Sequence, residues 1–372
     1  MIKIKTITCH DVYNFGASLQ AYALMKYLQN LGHDVEIINY KPEYASFNLW
    51  QIGPRWDKNF FFRLLFYSYV VPKRLLLQKR RKIFDIFTTN YLRLTSEKYH
   101  SYEELKANPP VADIFFAGSD QIWNSFHKHG QDPAYYLDFA PAESLRASYA
   151  ASFAVSKIPE EYINFVRSML ARFDAISVRE NSGLEILNSI NINNGVVVLD
   201  PVFLLTIDEW DTISTFKPSE NYILVYDQEN NSLIKEVSKR LAFTTGLKIY
   251  AIQSLYPMSY AHKRISDLGP LEFLGLIKNC DILLTNSFHG TAFSIIFHKE
   301  FYTFRREHEE VNSRMIDLLE MLKISDRIID CLSDIEKAKG IDFNNIDFII
   351  KNKLEFSKTY IENVIKIKQL NE

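Results

Sequence analysis

DILLTNSFHGTAFSIIF, residues 281–297, decides how the rest of the chain is read. Asp281 to Thr285 is an apolar run of strand length, and from Thr291 to Phe297 the chain is apolar again with helical character. Between them lie Asn286, Ser287, His289 and Gly290. A strand that turns at once into a helix is half of a βαβ unit, and in open α/β sheets ligands bind beyond the carboxyl ends of the strands. The polar knot therefore falls where chemistry is expected. His289 sits at the mouth of the following helix, where the dipole and free N–H groups favour an anion. An imidazole beside a bound phosphate can act as a general acid, since its ordinary pKa is near neutrality; the alternative is a histidine that caps its own helix.

Working outward, strand and helix signals alternate nearly end to end, which argues for parallel sheets with crossover helices. IKIKTIT, DVEIINY, VADIFFAG, RASYAASF, AISVRE and VVVLDPVFLL read as strands of a first series, with a helix over ASLQAYALMKYLQNL, another over 159–173 and a short one after AISVRE. YILVYD, LKIYAIQ, DILLT and FYTF form a second series, with helices near 230–244, 270–279 and 312–323. An aromatic and basic helical stretch over about 46–108 interrupts the first series as an insertion. Residues 206–220 have the composition of a linker, and a helix over 343–371 is long enough to reach back across both halves. The expectation is an α/β, GT-B-like architecture of two doubly wound Rossmann-like domains facing a cleft. Residues 1–205 form the first domain, 206–340 the second, and 341–372 the returning helix.

Composition narrows the function classes. The 43 Lys and Arg against 45 Asp and Glu give no field that would draw nucleic acid. Cys9, Cys280 and Cys331 are odd in number and share no metal-like spacing, so neither a disulfide framework nor a metal site is expected, and a cytoplasmic location fits. Lys3 and Lys5 break the N-terminal apolar stretch, unlike a secretory leader. FFFRLLFYSYVVPKRLLL is cut by Arg63 and Pro72 before it reaches the ~20 residues a bilayer span needs. Its apolar face and basic tail have the composition of a segment lying on an anionic membrane surface, with a buried or oligomer-contact helix as the alternative.

Three further loops follow predicted strands. In HDVYNFGASLQ, Asn14 or Ser18 can cap the next helix, whose free N–H groups are offered to an anion or a sugar hydroxyl. In AGSDQIWN, Asp120, Gln121, Trp123 and Asn124 have the makings of a carbohydrate subsite, a carboxylate for a hydroxyl and an indole for a ring face; otherwise Asp120 caps a helix and Trp123 is core. In SVRENSG, Arg179 ends a strand and can grip a carboxylate or phosphate, or pair with a nearby acid. Downstream of the knot, Arg305, Arg306 and Arg314 complete a set of four arginines able to converge on a small dianion.

Taken in this order, YNFGASLQAYAL, FFAGSDQIWN, SYAASF, SVRE, LDPVFLL, LLTNSFHGTAFSIIF and NSRMIDLL resemble the polysaccharide pyruvyl transferase family over most of the chain. The resemblance implies a GT-B-like enzyme that moves the enolpyruvyl group of phosphoenolpyruvate onto two hydroxyls of a saccharide acceptor, which can be lipid-linked, forming a pyruvate ketal and releasing phosphate. It implies no metal and no organic cofactor. It casts His289 as the acid and Asp120 as the acceptor-side base. Arg179, Ser287, Gly290, Thr291, Arg305 and Arg314 fall to the donor, and Asn14, Ser18, Trp123 and Asn124 to the acceptor. One departure stands out: several members carry arginine two residues before the histidine, where this chain has Ser287. Two other readings share the architecture. A nucleotide-sugar glycosyltransferase is disfavoured by the absence of an acid in the helix before Glu300, and a sugar-binding paralogue without turnover is the other.

Overall fold

The computed structural model describes residues 1–45, 59–253, 258–306 and 312–370. Two five-stranded, all-parallel sheets organise it. The first contains β1 (Lys3–Ile7), β2 (Asp34–Tyr40), β3 (Leu94–Tyr99), β4 (Ile114–Ala117) and β5 (Leu145–Ser148), in the order β3-β2-β1-β4-β5. A short pair, β6 (Ile176–Val178) and β7 (Gly195–Val197), runs on beside it through single bridges such as Ala147 with Ala175. The second sheet contains β8 (Tyr222–Tyr226), β9 (Lys248–Ile252), β10 (Lys263–Ile265), β11 (Ile282–Thr285) and β12 (Glu300–Thr303), in the order β10-β9-β8-β11-β12. Both sheets thus repeat one doubly wound plan, and the chain folds as two Rossmann-like domains. Interior strands of each, IFFA in β4 and YILVY in β8, are buried at every residue, as parallel strands covered on both faces must be.

The domains meet along the helix Phe15–Asn30. Phe15 stacks on Phe273 of the second domain with ring centroids 4.5 Å apart and planes 3° from parallel. Tyr22 packs on Trp210, and Trp210 stands edge-on to Phe293 at 5.0 Å. The helix Phe343–Leu370 spans the junction: Asp347 meets His298 at 3.0 Å, and the Tyr360 hydroxyl donates to the Ser148 carbonyl at 2.8 Å.

Four sequence expectations change here. Residues 206–220 are not simply a linker, because Thr206 and Glu209 close a capping box and start the helix Ile207–Ile213, which buries Trp210 completely. The stretch 46–108 is not wholly an insertion, since Leu94–Tyr99 is the edge strand of the first sheet. Its residues 46–58 lie outside the described residues. RASYAASF yields only the end of a four-residue strand, because Ala150 and Ala154 take positive φ angles of 50° and 55° and turn the chain aside. The edge strand β10 was not foreseen; its Lys-Arg-Ile sequence has no apolar alternation to betray it.

The helical segment inside 46–108 comprises Phe60–Leu65, a π-turn Phe66–Val70 and Val71–Tyr91. Its second half packs inward, with Phe84 5.3 Å from Phe15 and the Arg80 guanidinium 4.7 Å over the Phe15 ring. Its first half leaves Phe60, Phe61, Leu64, Tyr67 and Tyr69 exposed. Among the described residues no helix is long and apolar enough to cross a membrane.

Candidate active site

The knot after β11 is tied from all sides. Thr285 donates to the Tyr226 carbonyl at 2.8 Å and accepts from the Ser287 amide at 3.1 Å. Asn286 accepts from the Gln228 amide at 3.0 Å and donates to Asp227 at 2.8 Å, joining the loops after β8 and β11. Ser287 caps the helix Phe288–Ile296, accepting from the Gly290 amide at 3.3 Å. Thr291 is spent inside the fold, donating to the Ser287 carbonyl at 3.1 Å and meeting the Thr303 hydroxyl at 2.9 Å.

His289 points from the first turn of this helix toward the other domain. Its ring lies against Gly16, at the start of the helix Phe15–Asn30, so closely that a Cβ on Gly16 would overlap the imidazole. Glycine is needed there for close approach, not for its dihedral freedom. Two helix N-termini, capped by Asn14 and Ser287, therefore face one gap from opposite domains. His289 Nε2 is 3.6 Å from Asp200 Oδ2, too long for a hydrogen bond, and has no hydrogen-bond partner.

Asp200 follows β7 and is the hub of the charge network. Arg179, directly after β6, donates to it at 2.5 Å and to Asp120 at 3.2 Å. Arg314, in the first turn of the helix Ser313–Met321, is 3.5 Å from Asp120, and with its amide oxygen turned toward it Gln121 accepts from Arg314 at 2.7 Å. The Phe288 ring lies under both cations, 4.6 Å from the Arg179 guanidinium and 5.8 Å from that of Arg314. Asp120 itself sits in the left-handed region at φ 72°, unusual for a side-chain-bearing residue and held by the Ser152 amide bonding its carbonyl at 2.9 Å. Gln20 supports the same loop by accepting from the Ser119 amide at 3.1 Å.

The ionisation states follow from this packing. Burial alone would raise the Asp120 carboxyl, but Arg179, His289 and Arg314 outweigh it and hold it below the ordinary value. Asp200 is likewise opposed by burial and is held far lower, chiefly by Arg179 and then by His289. Burial, with Arg179 next to it, pushes Arg314 down to about 10. Glu180 moves the other way: burial raises it, only partly offset by Arg179 and Arg314.

A cavity of about 90 Å³ opens between the helix mouths, with Asn14, Asp120, Ser287, His289, Arg306 and Arg314 among its walls. Arg306 is braced by Glu229 at 2.7 Å. Behind the Phe288 ring a second space of about 120 Å³ reaches Arg179, Asp200 and Lys353 of the C-terminal helix.

Of the residues singled out from sequence, the fold brings together Asn14, Asp120, Arg179, Ser287, His289 and Arg314. It does not bring the others. Arg305 turns outward to Asp330 at 3.0 Å, and the adjacent Arg306 takes the inward place. Trp123 is wholly buried, donates to the Tyr135 carbonyl at 3.1 Å and stacks on Tyr136, so no ring face is left for a sugar. Asn124 is used in its own turn, its Oδ1 accepting from the Phe126 amide at 3.1 Å. Ser18 is buried in the helix behind the cap, Thr291 is consumed as described, and Gly290 serves as a close backbone contact to Thr285. Asp200 lies in the LDPVFLL stretch, where sequence alone gives it no role. The criterion that found Arg179, a charged residue at the end of an apolar strand, applies equally to VVVLD.

The model of the polysaccharide pyruvyl transferase family matches residues 14–308. The chain belongs to that family. The match covers every residue of the constellation except Arg314. No curated protein matches the sequence of this pyruvyl transferase family member. Among solved structures it is similar to AviGT4, a glycosyltransferase involved in avilamycin A biosynthesis, with a TM-score of 0.52 at 9% identity over 99% of this chain and 98% of that one. It also matches the UDP-GlcNAc 2-epimerase of Neisseria meningitidis bound to UDP-GlcNAc, with a TM-score of 0.48 at 10% identity over the full length of both chains. At such identities the first likeness speaks for the fold alone, which is that of the GT-B glycosyltransferases.

Proposed function

We propose that this family member transfers a pyruvyl group from phosphoenolpyruvate to two hydroxyls of a saccharide, giving a ketal and inorganic phosphate. The observation that carries the reading is the convergence on one small cavity of His289, with a free Nε2, two helix N-termini and the guanidiniums of Arg306 and Arg314. Phosphoenolpyruvate is a small trianion at most, and these groups supply donors for its carboxylate and phosphate without a metal.

His289 gives a proton to the methylene carbon, leaving positive charge at the carbon that bears the phosphate ester and the carboxylate. A sugar hydroxyl adds there and loses its proton. The C–O bond to phosphate then breaks, and a second hydroxyl closes the ketal as its proton leaves. Asp200 positions this chemistry by standing between Arg179 and His289. Asp120 is held ionised by the cations around it, which suits it better to orienting Arg179, Arg314 and an acceptor hydroxyl than to removing a proton.

The test is phosphate release from phosphoenolpyruvate, with and without saccharide. Acceptor-dependent release supports the reading. A thermal shift by nucleotide sugars and none by phosphoenolpyruvate would replace it with a glycosyltransferase; a ligand at a hundredfold its Kd adds about 2.7 kcal/mol. Because the exposed Phe60, Phe61, Leu64, Tyr67 and Tyr69 cluster on one short segment, we further propose peripheral contact with a membrane carrying a lipid-linked acceptor. Sedimentation with anionic liposomes should show salt-sensitive binding, and its absence removes this part.

A further inference from the structure

A separate cavity of about 320 Å³ opens on the far side of the Asp120 loop, at the carboxyl ends of β1 and β2. Its size falls at the lower end of the ~300–1,000 Å³ usual for small-molecule sites. His10, Tyr40, Tyr44, His127, His129 and Tyr135 line it. It adjoins the donor site through two short pieces of chain. Val12 lines one space and Asn14 the other, while Gln121 lines the donor cavity and its backbone bonds the His129 imidazole. The Asp120 charge is felt at both Cys9 and His129.

The chemistry of this cavity differs from that of the donor site. Behind its walls the buried Asp132 is satisfied by the hydroxyls of two lining residues, Tyr40 at 2.5 Å and Tyr44 at 2.6 Å, and by the Ala134 amide at 2.9 Å. Lys41 is paired with Asp11. Lys128 is exposed at the rim, and the buried groups that lack a partner are two imidazoles. His10 is 1% exposed, its Nδ1 lies 3.2 Å from the Thr8 carbonyl, and its Nε2 has no hydrogen-bond partner. His129 Nε2 is unpartnered as well, and His127 stacks on its ring at 5.2 Å. Burial lowers the His10 pKa, and burial together with His127 lowers that of His129 to about 4, so both rings are uncharged at neutral pH. Leaving buried polar atoms unsatisfied is costly, and a ligand hydroxyl placed against them would recover that cost. Aromatic walls, two unpartnered neutral nitrogens and an Asp11–Lys41 pair, with Lys128 at the exposed rim, describe a site for a molecule with several hydroxyls and an apolar C–H face.

We propose that this cavity is the acceptor subsite and binds an uncharged pyranose, with the sugar ring against Tyr44 and His127, its hydroxyls on His10 and His129, and the reacting pair directed past Asp120. This rests on the transferase reading above and supplies the carbohydrate platform that the buried Trp123 does not. The test uses the full chain and a panel of methyl hexopyranosides and methyl N-acetylhexosaminides, with binding followed by saturation-transfer NMR in the presence of phosphoenolpyruvate. At least one glycoside should bind, and Tyr44→Ala and His127→Ala should each weaken it about 10-fold or more, a loss of about 1.4 kcal/mol. Both residues are exposed, but Tyr44→Ala also removes a donor to the buried Asp132, so His127→Ala is the cleaner variant, and an unchanged phosphoenolpyruvate thermal shift in each shows an intact fold and donor site. Unchanged glycoside affinity in both variants, or no glycoside binding at all, overturns the assignment. If glycoside binding is sensitive to these substitutions but no phosphate is released, the cavity stands and the transferase reading fails; release with an unchanged acceptor KM in both variants means the reverse.

Discussion

The two sheets have the same strand order, yet the loops after their equivalent strands β4 and β11 are built in opposite ways. After β11 the chain enters a helix within three residues, and the short turn is locked by bonds to β8 and β12. After β4 it runs through residues 118–144 with only 3-10 turns, positioning Asp120 and then the histidine and tyrosine walls of a wider cavity. A tight strand-to-helix turn presents amide donors and a charged site. A long loop with its own aromatic core presents a shaped, nearly neutral one. The same scaffold can thus hold a small anion on one side and a polyhydroxyl partner on the other.

The sharpest way to break this contrast is at the turn. His289→Ala should lower kcat by about 10²- to 10⁴-fold, the usual worth of a positioned acid, with phosphoenolpyruvate still producing a thermal shift; an undiminished rate would take the imidazole out of the chemistry. Next in size is Gly16→Ala. Its Cβ would displace the His289 ring, and a shift of that order should cost about 10²-fold in kcat, measured by phosphate release, although Gly16 bears no reacting group.

A pH experiment examines the hub between the two regions. The Asp200 carboxyl is depressed in the folded state, so its stabilisation is present above the ordinary aspartate pKa near about 4 and is lost as pH falls through the lower folded value. Urea midpoints should therefore drop on going below about pH 4, and Asp200→Asn, though less stable at neutral pH, should show a flatter dependence. The smallest effect is expected at the cap: Ser287→Ala should cost about 1 kcal/mol in urea unfolding. A much larger loss would mean that Ser287 does more than close the helix.

The architecture was legible because parallel strands buried on both faces leave continuous apolar runs, and crossover helices separate them. IFFA, YILVY and ILLT announce themselves. The edge strand Lys263–Ile265 and the helix Ile207–Ile213 did not, since one is polar and the other is marked chiefly by its capping box. At the site, position along a strand was a good guide and residue type alone a poor one. His289, Arg179 and Asp120 were found as charged or titratable groups at strand ends. Trp123 looked like a sugar platform but its indole was claimed by Tyr136 and the Tyr135 carbonyl, contacts that no local spacing reveals. Arg305 and Arg306 are adjacent, and only the path of the backbone decides which one faces inward. His10 and Tyr44 are brought beside His127 and His129 by tertiary folding alone.

The most direct measurement is to run the reaction with phosphoenolpyruvate and a bound glycoside in deuterium oxide and examine the product by NMR. Protonation of the methylene carbon by His289 before closure on the second hydroxyl predicts a ketal methyl group carrying one deuterium, together with stoichiometric phosphate. A product that keeps its vinyl protons, or the absence of any transfer, would contradict the account.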